Sequence, residues 1–274
     1  MNFITFSRKM GTNGTEIAKR VADQLKYNFY DTEAIDQEAC RMGFHRDIQE
    51  IDEKAPSLIN RIFSIKPTIY LDRLNSVIYE MASRGNAIFL GRGGHILLQG
   101  TKCALHVRVV ASQETRIQNL MKKKFQREEA IRAMEKSDHE REAFIKFAFG
   151  VDWDQPELYD IVLNMDHLTV DLGVDLVVRM VHSDAIKVCS INAVKALEMK
   201  GLSKRIDAAL IEAGLVYSKA VSISVSVLGP GKIRLTGYAA GKSNKRKVEE
   251  VLKKISGIES IDDKIHVIDN ESSV

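Results

Sequence analysis

Within its first eighteen residues the chain sets the strongest limit on its own fold: a short apolar run, a glycine-bearing loop and the start of an amphipathic helix, in that order. Phe3-Ile4-Thr5-Phe6 reads as a buried strand and 7–15 as the loop. Residues 16–25 read as a helix, because Ile17, Val21 and Leu25 fall at helical spacing with Ala18 and Ala22 beside them. In an α/β protein a phosphate-binding loop sits here, since consecutive backbone N–H groups and a helix N-terminus together hold an anion. Yet G-x-x-x-x-G-K-[ST] is absent. Depending on how Gly11 and Gly14 are aligned, Asn13 or Gly14 stands where its lysine belongs.

Further short apolar runs at 28–31, 87–91, 105–110 and 160–164 read as strands. Helical periodicity covers 15–25, 33–43, 47–64, 70–84, 112–135 and 171–183. Two-faced apolar strands alternating with helices predict an α/β fold, a parallel sheet flanked by helices. Near residue 184 the pattern changes. A helix over 203–213 precedes Val221-Ser222-Ile223-Ser224-Val225-Ser226-Val227, whose strict alternation marks a strand with one wet face. Gly229-Pro230-Gly231 turns the chain into a strand at 233–237. A helix from Ser243, with Val248, Val251, Leu252 and Ile255 on one side, leads past Gly257 to a strand at 261–268. The order α-β-β-α-β makes a small α+β module. The expected domains are 1–183 and 203–270, with 184–202, partly helical, as a connecting segment.

Forty basic residues against thirty-seven acidic ones exclude a general polyanion binder. Cys40, Cys103 and Cys189 lie far apart and fit neither a disulfide framework nor a zinc site, and no histidine pair has metal-ligand spacing. The expectation is a reducing, cytoplasmic setting with no resident metal cluster. No run suits a signal peptide or approaches the roughly 20 apolar residues of a spanning helix. Lys242, Lys245, Arg246, Lys247, Lys253 and Lys254 enrich one helix, a face for anionic lipid or simply for solvent. No aromatic ladder accompanies it, which argues against nucleic acid.

Phosphoryl transfer asks the protein for alignment and positive charge. The amides of Gly11, Thr12, Asn13, Gly14 and Thr15 form a cradle for a donor, and Arg8 or Lys9 can replace the missing lysine, one as a fork and the other as a point charge. The plainer alternative makes Asn13 an N-cap with Glu16 as its capping-box partner, and the glycines mere turn residues. Asp31 ends the second strand, where parallel sheets gather ligands, and either contacts substrate, holds Mg²⁺ through water or caps the next helix. Arg92 lies between Gly91 and Gly93 and suits a monophosphate. Arg141, three residues after Asp138, is either part of an arginine-bearing lid or half of a helical ion pair. Arg116 and Arg127 are further lid candidates that read rather as exposed-face residues, Trp153 reads as a packing residue rather than a base-stacking one, Asp154 as a loop acid and His95 as a loop or helix-start histidine.

Ile4-Thr5-Phe6-Ser7-Arg8, Gly11-Thr12-Asn13-Gly14-Thr15-Glu16-Ile17-Ala18, Phe29-Tyr30-Asp31, Leu90-Gly91-Arg92-Gly93-Gly94-His95 and the run from Asp138 through Trp153 to Asn164 together resemble the cytidylate-kinase-like family, with its P-loop nucleoside-monophosphate kinase fold. Residues 203–268, through Gly237 and Gly257-Ile258-Glu259-Ser260-Ile261, are similar to a BON domain, a small module linked to phospholipid or other ligand binding. The first resemblance implies ATP- and Mg²⁺-dependent phosphorylation of a nucleoside monophosphate, nominally CMP or dCMP. Arg8, Arg92 and Arg141 would act on the phosphates, Lys9 and the loop would hold the donor, and Asp31 with Arg92 the acceptor. The second implies a lipid or small-ligand partner. Thr15 stands where the family commonly has a basic residue. That departure supports a rival reading, a non-catalytic nucleotide sensor or scaffold.

Overall fold

The apolar run that opens the chain becomes β1 (Phe3–Arg8), the middle strand of a five-stranded sheet. The computed structural model describes residues 2–44, 66–101, 103–184, 186, 190–216, 218 and 220–268. β2 (Asn28–Tyr30), β3 (Ala87–Leu90), β4 (Ala104–Val110) and β5 (Ile161–Asn164) complete the sheet in the order β2-β3-β1-β4-β5, every pair parallel. Parallel neighbours need crossover connections. The helices in chain order are α1 (Gly14–Leu25), α2 (Thr32–Arg41), α3 (Lys66–Ser83), a one-turn α4 (Gly94–Leu97), α5 (Gln113–Lys122), α6 (Arg127–Phe149) and α7 (Val170–Val181). The helix expected over 47–64 lies outside the described residues.

Helices α1 and α7 cover one sheet face. Ile17, Val21, Val174 and Val177 meet Ile4, Phe6, Val107 and Val109, all buried. Each such side chain contributes roughly 1.5–3 kcal/mol by leaving water. The register pairs Ser7 with Arg108 and Arg8 with Val109, so an arginine of β4 stands beside the carboxyl end of β1.

The single helix expected over 112–135 is two. Ser112 caps α5 by accepting from the Thr115 N–H, Lys124 takes φ +69, and Gln126 with Glu129 forms a capping box that starts α6. A start signal inside an otherwise helical pattern ends one helix and begins another.

Among the described residues one compact unit holds 2–44 and 84–190, and a second holds 66–83 and 191–268. Helix α3, expected in the first domain, therefore belongs with the C-terminal module. There α8 (Ile191–Glu212) packs against it through Ile69, Ala208 and Ile211 and through the pairs Arg73–Glu212, Lys204–Asp72 and Arg205–Glu80. Because α8 begins at Ile191, much of the expected connector is helix. Helical periodicity reveals an apolar face, not which core will receive it.

The module continues as β6 (Val221–Gly229), β7 (Lys232–Ala240), α9 (Gly241–Lys253) and β8 (Ser260–Ile268), with β6 antiparallel and β8 parallel to β7. This is the expected α-β-β-α-β order. Ser222, Ser224 and Ser226 are exposed, while Ile233, Leu235, Val248 and Leu252 fill the core with Leu202 and Ile206.

Cys103 is disulfide-bonded, although the spacing of the cysteines does not suggest a disulfide framework, and Cys40 is a free thiol. The argument from cysteine usage to a reducing compartment thereby loses its support. No helix among the described residues is long and apolar enough to cross a membrane.

Candidate functional site

The loop between β1 and α1 is held by its carbonyls. Arg116 of α5 donates to the Met10 carbonyl at 2.7 Å, and the Asn119 amide to the Gly11 carbonyl at 2.9 Å. Asp138 of α6 accepts from the Met10 N–H at 3.1 Å and pairs with Arg116. The buried Thr12 hydroxyl donates to the Lys9 carbonyl at 2.8 Å and accepts from the Gly14 N–H at 3.3 Å. With the carbonyls turned towards α5, the N–H groups of Gly11, Thr12 and Asn13 have no acceptor among the described residues. Thr15 adds one of the amides that every helix leaves unpaired in its first turn.

Asn13 does occupy the N-cap position, in the left-handed region at φ 60, but its side chain makes no capping hydrogen bond. The capping-box alternative for this loop is therefore not realised. Gly14 opens α1 where a side chain would lie 2.8 Å from Arg8 Cβ and 3.0 Å from Val109 Cβ, so the helix meets the sheet only without one.

Arg8 at the end of β1, Arg92 after β3 and Arg141 on α6 line one small cleft, with Ser7, His95, Phe144 and Trp153 completing its wall. No carboxylate faces the cleft among these lining residues. Acids stand behind instead. Arg92, 1% exposed, donates to both carboxylate oxygens of Asp36 at 3.1 and 3.3 Å, and Arg141 lies 3.9 Å from Asp138. The cleft encloses about 20 Å³, room for little more than one water. Asp31 is not among its lining residues. Its carboxylate accepts from the Ala34 N–H at 3.1 Å and caps α2, the capping alternative raised for it.

Ser7 and Trp153 also hold Arg108. Its guanidinium donates to Ser7 Oγ at 2.6 Å, pairs with Asp154 and lies 3.9 Å from the centre of the Trp153 ring. Lys9 Nζ reaches the other oxygen of Asp154 at 2.8 Å. Burial pushes the Asp154 carboxyl up, but Lys9 and Arg108 outweigh it and hold the group below its usual range. Tyr159 stacks on His95 with ring centroids 5.0 Å apart and donates to the Trp153 carbonyl at 2.7 Å.

His95 is buried, and burial with the neighbouring His106 and Arg108 pushes its imidazole down to about 3. An unfolded chain protonates histidine near 6.5. Between those values the unfolded state binds a proton that the folded state refuses, so this contribution to stability is complete above the unfolded value and is lost as pH falls. Urea melts from pH 7 to 4 should show an acid limb of up to about 1.4 kcal/mol per pH unit from this group. His95→Gln should flatten it, and an unchanged limb in that variant would contradict a buried neutral imidazole.

Arg116, expected on an exposed face, is 8% exposed and braces the loop, a correction that follows from its bond to Met10. Arg127 does lie on the surface, paired with Glu114. Trp153 is buried as a packing residue and stacks on an arginine. Arg108 and Asp154 went unremarked as site residues. The available signal was an arginine inside the apolar strand Ala-Leu-His-Val-Arg-Val-Val, since buried strands seldom hold an uncompensated charge.

Residues 3–167 match the cytidylate kinase-like family, and residues 200–269 match the BON domain. No curated protein matches the sequence. Among solved structures, an uncharacterized protein from Eubacterium ventriosum is similar at TM-score 0.54 and 18% identity, over 67% of this chain and 99% of that one. Shikimate kinase from Bacteroides thetaiotaomicron aligns at TM-score 0.41 and 13% identity, over 66% and 99% of the two chains. A sugar kinase from Janibacter sp. HTCC2649 aligns at 0.39 and 13%, over 69% and 99%. The fold is that of a P-loop kinase-like parallel sheet with a small α+β module after it.

Proposed function

We propose that this chain, which belongs to the cytidylate kinase-like family, transfers a phosphoryl group from ATP to a nucleoside monophosphate, nominally CMP or dCMP. The observation that carries the reading is the convergence of Arg8, Arg92 and Arg141 on one cleft, close to the turned loop whose Gly11, Thr12 and Asn13 amides have no acceptor among the described residues. The loop amides of Gly11, Thr12 and Asn13, with Thr15 at the helix start, hold the donor phosphates. Arg92 holds the acceptor phosphate, and Arg8 and Arg141 stabilise charge on the transferring group. Asp31 serves by fixing the start of α2.

Mg²⁺ neutralises charge on the donor's phosphates when it is bound. Among the described residues no three His, Cys, Asp or Glu side chains cluster to hold a metal. An ion of this kind would be brought in largely by phosphate oxygens and water. Because the cleft is nearly filled, acceptor entry requires its walls to part, and Arg141 on α6 is the arginine assigned to close over the phosphates. The C-terminal module supplies recognition of a lipid or another small ligand, on the strength of its match to the BON domain. A cytoplasmic location follows from the need for ATP and not from the cysteines.

The absent loop lysine favours one rival, a nucleotide sensor that binds without turnover. A coupled assay with ATP, Mg²⁺ and a panel of monophosphates separates the two. Turnover that disappears in Arg8→Ala and Arg141→Ala supports the enzyme. A nucleotide-induced thermal shift with no product from any monophosphate supports the sensor.

A further inference from the structure

Lys9 and Arg108 share a single carboxylate, and the way they share it is informative. Arg108 is almost fully enclosed, at 3% side-chain exposure, and lies over the Trp153 ring with one terminal nitrogen on Ser7 and the other on Asp154. Lys9 follows β1 directly and closes on the other oxygen of the same carboxylate at 2.8 Å. Asp154 itself is 49% exposed. It sits in the loop between α6 and the 3₁₀ turn Pro156–Leu158, and its own N–H is satisfied within that loop by Asp152 at 2.9 Å. The two cations are thus fixed by the sheet and the start of the phosphate loop, whereas the anion is on the solvent side.

A buried guanidinium needs an anion, because leaving it uncompensated is costly. It does not need that anion to be Asp154. A planar fork beside an ammonium fits phosphate oxygens as well as carboxylate oxygens, and a phosphate brings more charge and a third oxygen. Ser7 and Trp153, which hold Arg108, are also wall residues of the three-arginine cleft, so this cation pair borders the place where phosphates are expected.

We propose that Lys9 and Arg108 form a phosphoryl-anion site that takes over the role of the missing loop lysine, and that Asp154 fills it in the free protein as an internal stand-in which the incoming polyphosphate displaces. This inference rests on the phosphate-binding reading above; to the Lys9 already expected there it adds Arg108 as a second cation and Asp154 as the displaced anion.

The test is titration calorimetry on the full chain with inorganic pyrophosphate, and with ADP and Mg²⁺. Asp154→Asn keeps the side chain's shape and removes its charge, and should bind pyrophosphate about tenfold more tightly than the wild type. Placing Lys9→Gln in the Asp154→Asn background should return the affinity towards the wild-type value. Lys9 is the more exposed of the two cations, so this variant keeps the test alive if Arg108→Gln fails to fold. Glu157→Gln, the same charge change at an exposed acid nearby, should leave affinity unchanged. Equal or weaker pyrophosphate binding by Asp154→Asn overturns the inference, as does an equal gain from Glu157→Gln. If ADP binds the wild type and Asp154→Asn changes nothing, this inference alone falls. If no variant binds any polyphosphate, the reading beneath it falls too.

Discussion

Gly237→Ala should unfold the C-terminal unit or cost it at least about 3 kcal/mol, the range reserved for a strained backbone combined with a steric clash. Gly237 lies in β7 opposite Ile223 of β6, at φ +120, a conformation closed to residues with a side chain. A methyl group there would sit 2.0 Å from the Ser222 carbonyl oxygen and 3.1 Å from Ile223 Cα. Both obstacles are main chain, so no rotamer change relieves them. The strands would have to part, and the β6–β7 ladder that carries Val225 and Leu235 into the core would part with them. Chemical denaturation followed by far-UV circular dichroism measures the loss. Ser224→Ala, on the exposed face of the neighbouring strand β6, should stay within about 0.5 kcal/mol of the wild type and serves as the control. A Gly237→Ala protein that melts with its parent would mean that β6 and β7 do not approach as described.

Arg92→Ala should lower turnover by a factor on the order of 100–1000, the usual effect of removing one preorganised electrostatic group from a transfer site. On the proposed reading Arg92→Lys should recover little, because an ammonium is less able than a guanidinium to bridge Asp36 and a phosphate. The stability cost should be smaller, about 1–3 kcal/mol, since the partner Asp36 keeps 32% exposure and is not stranded in a dry interior. A coupled assay that varies the monophosphate at saturating ATP, alongside a melting curve, separates the two effects. Turnover within threefold of the wild type in a folded Arg92→Ala protein would remove Arg92 from the reaction.

The sheet of the first unit was legible because its inner strands β1, β3 and β4 are buried on both faces and its edge strands β2 and β5 are short apolar runs too. Each leaves a short apolar run in the sequence, and the bounds of β1 through β5 fall within a residue or two of those runs. The C-terminal module was legible for the opposite reason, since Val221–Gly229 alternates faces residue by residue. The loop's position and the cleft-lining Arg8, Arg92 and Arg141 could be picked out because glycines and family-like runs flank them. Arg116, Arg108 and Asp154 could not be read in the same way. Each acts through a partner far along the chain (Met10 for Arg116, Ser7 and Asp154 for Arg108), and periodicity carries no record of such pairings. The start of α6 at Gln126 had a local sign in Gln126 and Glu129, but the abundance of charged residues through 116–146 hid it.

Helix α3 and its partner α8 are separated by the 107 residues from 84 to 190. At roughly 5–20 residues per second, a ribosome would hold α3 in waiting for on the order of 5–20 s before α8 exists. For that interval the nascent chain must shelter Ile69 and Arg73 from strangers without the surface built for them. It also follows that a fragment begun at the apparent linker would be born lacking a helix, with Ala208 and Ile211 bare. Anyone expressing the second unit alone should graft residues 66–83 onto it, or expect precipitate.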